Sequence, residues 1–292
     1  MGSRTAIVRA ALFEVLSEPL SLLLTLSALL LAIVAPVVHC HNFGEPARMA
    51  CDAGLSALLT GGLALGIFAA VRAFRREEES GTLAMALVHP VSRASFFVSK
   101  CVGVWLGVGA LMWTVFCAMV VMVRGALIGG GIAALNGDVP RVWGPSVALA
   151  VAIPLLSVLA GAAWNRFGHG RFVFSTQVLA IGLGTAALFY PWEWRLFPRL
   201  FVSAALLLLP AGVFTAAAAA LAVRLRDRYA VSIAFGLLVL ALPALGNYYP
   251  SVRVFNAGWT LRDALFAAGA AIPLVVGFAL LGIHFLDRKD IG

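Results

Sequence analysis

The distribution of apolar and polar positions does not follow an amphipathic helix or strand period. It falls into eight long apolar runs, at roughly Leu20–Val38, Leu55–Val71, Val102–Val123, Val147–Ala163, Phe172–Tyr190, Phe201–Val223, Tyr229–Gly246 and Ala264–Leu286. Each holds 17 to 23 residues and none contains Asp, Glu, Lys or Arg. A helix of that length crosses about 30 Å of hydrocarbon. The pattern predicts an all-α integral membrane protein of about eight transmembrane helices, with residues 1–292 forming one polytopic transmembrane domain. An even number of crossings returns both termini to one side. Pro154, Pro210, Pro243 and Pro273 interrupt runs, so a six-span alternative treats 172–190 and 201–223 as a re-entrant pair. Eight is preferred because Arg166/Arg171 and Arg224/Arg226/Arg228 read as separate turns on the basic side. Ahead of the first run, residues 1–19 read as an interfacial elbow helix, with Leu12, Phe13 and Leu16 available to lipid. The first run is too long for a signal-peptide core, and Glu14 and Glu18 acidify what would be its basic flank.

Composition makes the membrane reading firm. Hydrophobic residues are 62% and charged residues 12% of the 292, with mean hydropathy +1.00, against about 45–50% and roughly 25% in soluble domains. No single core hides that surplus, and no length is left for a large soluble catalytic domain. The net charge of +8 would suggest nucleic acid in a soluble protein. Here it follows from basic residues on cytoplasmic loops, and no nucleic-acid partner is expected. Fourteen of the 21 basic residues fall on the segments that share a side with the N-terminus, and seven on the other. Both termini are therefore expected in the cytoplasm, the chain lying in the cytoplasmic (inner) membrane. Lys100 and Lys289 are the two lysines, and neither stands in a G-x-x-x-x-G-K-[ST] setting. The chain is not expected to be an enzyme or to carry a cofactor.

The chemistry concentrates in residues 72–100, RAFRREEESGTLAMALVHPVSRASFFVSK. Arg75 and Arg76 extend the second run into water, and Glu77, Glu78 and Glu79 follow as a solvated acidic stretch. Gly81 breaks that helix. Thr82 can cap a new one, whose Leu83 and Leu87 share a face at i, i+4. Pro90 ends it, and Ser92 can cap the helix that carries Arg93, Phe96 and Lys100. A short apolar-faced helix between two spans is either a linker resting on the bilayer or a docking helix for a soluble partner. Residue pattern alone does not choose.

The run Glu77, Glu79, Gly81, Thr82, Leu83, Leu87, Pro90, Val91, Ser92, Arg93, Phe96 and Lys100 resembles the coupling region of ABC-2-type transporter permeases, E-x-E-x-G-T…L-x-x-P-x-S-R…K. Ala11–Pro19 resembles that family's elbow, Phe285–Ile291 its F-x-x-R-x-D-[LI] tail, and Phe43–Arg48 with Asp52, Gly54 and Leu55 a stretch found in some branches. The central runs match only in hydropathy, and eight spans exceed the commoner six. The resemblance implies a membrane half of an ABC transporter, usually an exporter. Its partners would be separately encoded ATPase subunits, a second permease copy and lipid. The helix at Thr82–His89 would sit in an ATPase groove. Glu77 and Glu79 are expected to pair with basic groups of the ATPase or with Arg75/Arg76, while Arg93 and Lys100 anchor at headgroup phosphates.

Two other classes stay open on the sequence. An ion-coupled secondary transporter places ionisable groups at the midplane, but Gln177 is the most polar long side chain within any run. A non-transport scaffold, for example for maturation of periplasmic metalloenzymes, also fits a chain that names no substrate. His39, Cys40, His41 and Cys51 cluster after the first run. They are weak metal candidates, alternatively a Cys40–Cys51 disulfide, alternatively free side chains. The pairs Gly62/Gly66, Gly103/Gly107 and Gly125/Gly129 suit close helix approach within the chain.

Overall fold

Every apolar run lies in a helix of its own. The computed structural model describes residues 2–38, 46–79, 92–129, 139–168, 171–189, 197–225, 227–246 and 261–288. These form α1 (Gly2–Ser17), α2 (Pro19–Val38), α3 (Pro46–Glu79), α4 (Arg93–Gly129), α5 (Val139–Gly168), α6 (Phe172–Leu188), α7 (Phe197–Arg224), α8 (Asp227–Gly246) and α9 (Leu261–Asp287). By length and composition six are able to cross a membrane: α2, α3, α4, α5, α7 and α9. Phe172–Leu188 and Tyr229–Val239 are shorter apolar helices. The six-span alternative thus needs correcting in one respect. The run at 201–223 is a long helix of the interior, and the two short helices are the ones at 172–188 and 229–239. Pro210 suggested a break there, yet α7 continues through it, as α5 does through Pro154 and α9 through Pro273.

α4 is the hub, in contact with α1, α2, α3, α5, α6, α7 and α9. Its most apolar window is 78% buried, and that of α3 is 67%, whereas those of α5 and α9 are 22% and 17%. The buried core is therefore α3, α4 and α7, and the outer helices turn leucine-rich faces outward to a non-aqueous surround. Small residues allow the closest approaches. A Cβ on Gly103 would stand 2.6 Å from the Val8 carbonyl oxygen, and one on Gly107 2.9 Å from Val15 Cβ, so α1 lies directly on α4. Gly62 meets Met112 of α4, Gly66 meets Thr215 of α7, and Gly125 meets Ser146 of α5. These glycines serve packing within the chain.

The elbow differs from expectation in one face. Ala11, Val15 and Leu16 are buried, so Leu16 faces protein, and Phe13 is the residue left outward. The break between α1 and α2 is bridged by Gln177 of α6. Its amide nitrogen donates to the Leu16 carbonyl at 2.8 Å and its amide oxygen accepts from the Leu22 N–H at 2.9 Å. The polar residue of the fifth run thus bonds to backbone groups on both sides of the point where two helices meet.

Candidate functional site at the charged end of the bundle

α3 has 34 residues and α4 has 37, about 51 and 56 Å of helix, well beyond a hydrocarbon layer of about 30 Å. The excess projects past the apolar runs at the end where α3 stops and α4 starts. The starts of α2, α4, α6 and α8 and the ends of α3, α5, α7 and α9 gather at this end.

Charges from three helices meet there. Lys100 of α4 is buried, its side chain 1% exposed, with Nζ 2.5 Å from Glu77 Oε1 of α3 and 3.9 Å from Glu14 Oε2 of α1. The Glu77 contact is an ion pair rather than a well-aligned hydrogen bond. The ammonium also lies over the rings of Phe74 and Phe96, 5.5 and 5.9 Å from their centroids, contacts that favour a cation. Arg72 donates from Nε and Nη2 to Glu18 Oε1 at 3.2 and 2.9 Å. Arg76 lies 3.7 Å from Glu18 and 3.9 Å from Glu14. Three carboxylates thus face three cations, a balance that makes burial of Lys100 tolerable. Burial pushes the Glu14 carboxyl above the ordinary glutamate range, against the pull of Lys100; Glu77 and Glu18 push the same way and Arg76 opposes them.

A second set of ties reaches the later helices. Arg75 pairs with Glu78 at 2.9 Å and donates to the Leu225 carbonyl at the end of α7. Arg93 Nη1 donates to the Leu286 and Asp287 carbonyls at 3.0 and 3.1 Å, closing the C-terminal turn of α9. That use of an arginine satisfies carbonyls with no helical partner. Ser92 Oγ accepts from the Ser95 N–H at 3.2 Å, an N-cap on α4. Phe97 is wholly buried against Phe74, centroids 5.1 Å apart, over Gly282 of α9, where any Cβ would collide with its ring.

Set against the sequence expectations, Lys100 and Arg93 are not headgroup anchors. Lys100 is inside the protein, and Arg93 caps α9. Glu77 has Lys100 as partner instead of Arg75 or Arg76, and Glu79 is exposed. Gly81, Thr82, Leu83, Leu87 and Pro90, with the helix expected at Thr82–His89, lie outside the described residues, as do His39, Cys40 and His41. Cys51 is a fully buried thiol in α3, and the metal and Cys40–Cys51 disulfide alternatives both turn on residues outside the described ones. No group of three or more His, Cys, Asp or Glu able to hold a metal occurs among the described residues. Sequence reasoning missed Glu14, Glu18 and Arg72 as members of the cluster. Their signal was two acidic residues one turn apart in an otherwise basic and apolar N-terminal segment.

Toward the opposite end, Leu58, Met112, Trp113, Phe116, Phe201 and Leu208 help line an apolar pocket of about 80 Å³ between α3, α4 and α7. Small-molecule sites occupy about 300–1,000 Å³, so this space is well below that size.

An all-helical bundle with long core helices and an ion-paired end defines a multi-pass membrane protein. Residues 18–167 match the model of the ABC-2 family transporter protein, just over half of the chain. The chain belongs to that family and is a membrane permease of an ABC transporter, a transport component rather than a catalyst. No curated protein and no solved structure matches it.

Proposed function

We propose that this chain forms half of the membrane path of an ABC exporter. It pairs with a second permease copy and receives its work from separately encoded ATPases docked on the helix at Thr82–His89. The charged end faces the cytoplasm, because Arg72, Arg75, Arg76, Arg93, Lys100, Arg166, Arg171 and Arg224 collect there. A path between two copies is favoured by the tight packing of α3, α4 and α7 within one copy.

The observation that carries the reading is how the two helices flanking residues 80–91 are tied. Glu77–Lys100 joins the end of α3 to the start of α4, Glu14 adds α1, and Arg93 adds α9. A displacement imposed on the intervening segment would therefore be carried into four helices together, instead of being absorbed by a loose hinge.

Leu83→Asp or Leu87→Asp is expected to leave the protein inserted and folded while abolishing copurification with the ATPase. Burying one leucine contributes about 1.5–3 kcal/mol, and an aspartate adds desolvation, so a micromolar association of about 8 kcal/mol is largely lost. Glu78→Ala, which removes the i, i+3 pair with Arg75 outside the proposed docking helix, should alter it little. Retention of the ATPase at wild-type stoichiometry by both leucine variants would refute the docking assignment.

A further inference from the structure

The arginines of the charged end divide into two groups. Arg72, Arg75, Arg76 and Arg93 are engaged by carboxylates or backbone carbonyls of the bundle. On the flank where α6 meets α1 on one side and α5 on the other, Arg9 and Arg166 are exposed and no described acidic side chain pairs with them or with Arg171. Arg171 lies over the Phe13 ring at 5.2 Å, and Phe13 packs on Phe174 at 4.6 Å. This joins the positive charge of α6 to that of α1, since Arg9 is one turn from Phe13 on the same helical face. α6 also begins at Phe172 with no side-chain cap, leaving its first-turn N–H groups at the same level. At the same end of α5, Trp164 is 62% and Phe167 81% exposed, ring types that sit at the boundary between hydrocarbon and headgroups.

We propose that this flank is a binding site for an anionic phospholipid. Arg9, Arg166 and Arg171 hold the phosphate-bearing headgroup, and the outer face of α5 holds an acyl chain. Leu159 and Leu155 are exposed about two and three turns before Arg166 on the same face of α5, so charge and apolar surface follow one face of the helix. That continuity favours a lipid over an acidic soluble protein, which would meet the charge but not the leucines. The proposal requires only that this end lie at a headgroup layer, and is independent of the ATPase docking and of export.

Trp164 provides the readout. The purified chain is placed in nanodiscs containing dibrominated phosphatidylglycerol or, at equal mole fraction, dibrominated phosphatidylcholine. The Trp164 contribution to quenching is taken as the difference between wild type and Trp164→Phe. One arginine near an anionic surface corresponds to about a fivefold preference, so enrichment of the anionic lipid at Trp164 by at least about fivefold is expected. The preference should vanish in the Arg9→Gln/Arg166→Gln/Arg171→Gln variant, shrink in Arg166→Gln alone, and withstand millimolar inorganic phosphate. Should the triple variant fail to fold, Arg166→Gln decides. Equal quenching by the two lipids in wild type would overturn the proposal and leave an acidic protein as the complement of the patch. A preference unchanged by the arginine substitutions would overturn it too, and loss to free phosphate would reassign the site to a soluble anion.

Discussion

At the scale of single residues, Lys100 has the most to lose. Its charge is out of water, and its close counter-charge is Glu77 of α3, 2.5 Å away. Removing one partner of a buried pair leaves an uncompensated charge and costs about 3–5 kcal/mol, whereas replacing both with apolar groups is often neutral. Glu77→Leu is therefore expected to lower thermal stability in detergent markedly, and Glu77→Leu/Lys100→Met to recover most of it. A double variant no more stable than Glu77→Leu would contradict the pair. Glu14 yields a pH dependence. A carboxyl with a raised native pKa keeps its proton in the folded protein where the unfolded chain has released it. Stability should consequently fall as pH climbs from the ordinary glutamate range through the raised native value. Glu14→Gln removes that slope, so its melting temperature should approach the wild type's at acid pH and exceed it at pH 8. A wild type more stable than Glu14→Gln at pH 8 would reverse the sign.

Elements show where sequence legibility ended. The apolar runs marked the six long helices and the two shorter apolar ones, because about twenty uncharged apolar residues have few alternatives to a helix in lipid. Their ends were marked in part: the break read at Gly81 and the cap read at Ser92 agree with α3 ending at Glu79 and α4 starting at Arg93, whereas the start of α3 at Pro46, nine residues ahead of its apolar run, carried no such signal. The Gly103/Gly107 spacing was readable as a seam, but not that α1 fills it, since Val8, Ala11 and Val15 are about ninety residues away in sequence and bear no spacing signal of their own. Lys100 read as a headgroup anchor for the same reason, its counter-charges being distant in sequence. The seam makes a differential prediction. Gly103→Leu meets the Val8 carbonyl, a backbone atom that cannot turn aside, and overpacking of this kind costs about 1–3 kcal/mol. Faster hydrogen exchange confined to α1 should report its displacement. Gly277→Ala on α9, where a Cβ finds nothing within 4 Å, should be neutral or stabilising by up to about 1 kcal/mol. Similar exchange in α1 for both variants would mean that α1 does not depend on the seam.

On the scale of the whole molecule the open quantity is the number of crossings, and it turns on the two short helices. α6 has 17 residues, about 26 Å, a little short of the hydrocarbon layer. Yet it begins beside Leu16 at the charged end, through Gln177, and reaches Trp113 of α4, whose Nε1 donates to Thr185 Oγ1 at 2.9 Å. Trp113 stands thirteen residues beyond Lys100 along α4, about 20 Å away, so α6 traverses most of the bundle. α8 starts just past Leu225, which accepts from Arg75, and descends far enough for Phe235 to stack near Phe68 of α3, centroids 5.4 Å apart. Its 20 residues span about 30 Å. A local thinning of the bilayer beside α6 costs fractions of a kcal/mol per Å, which is small beside the cost of leaving α7 without a route back. Eight crossings are therefore expected. Single cysteines placed at Asn42 and Asn247 in a cysteine-free background should react with an impermeant maleimide added from outside, and one at Ser80 only after permeabilisation. Protection of position 247 alongside position 80 would show that α8 does not cross, and would return both short helices to one face of a six-span permease.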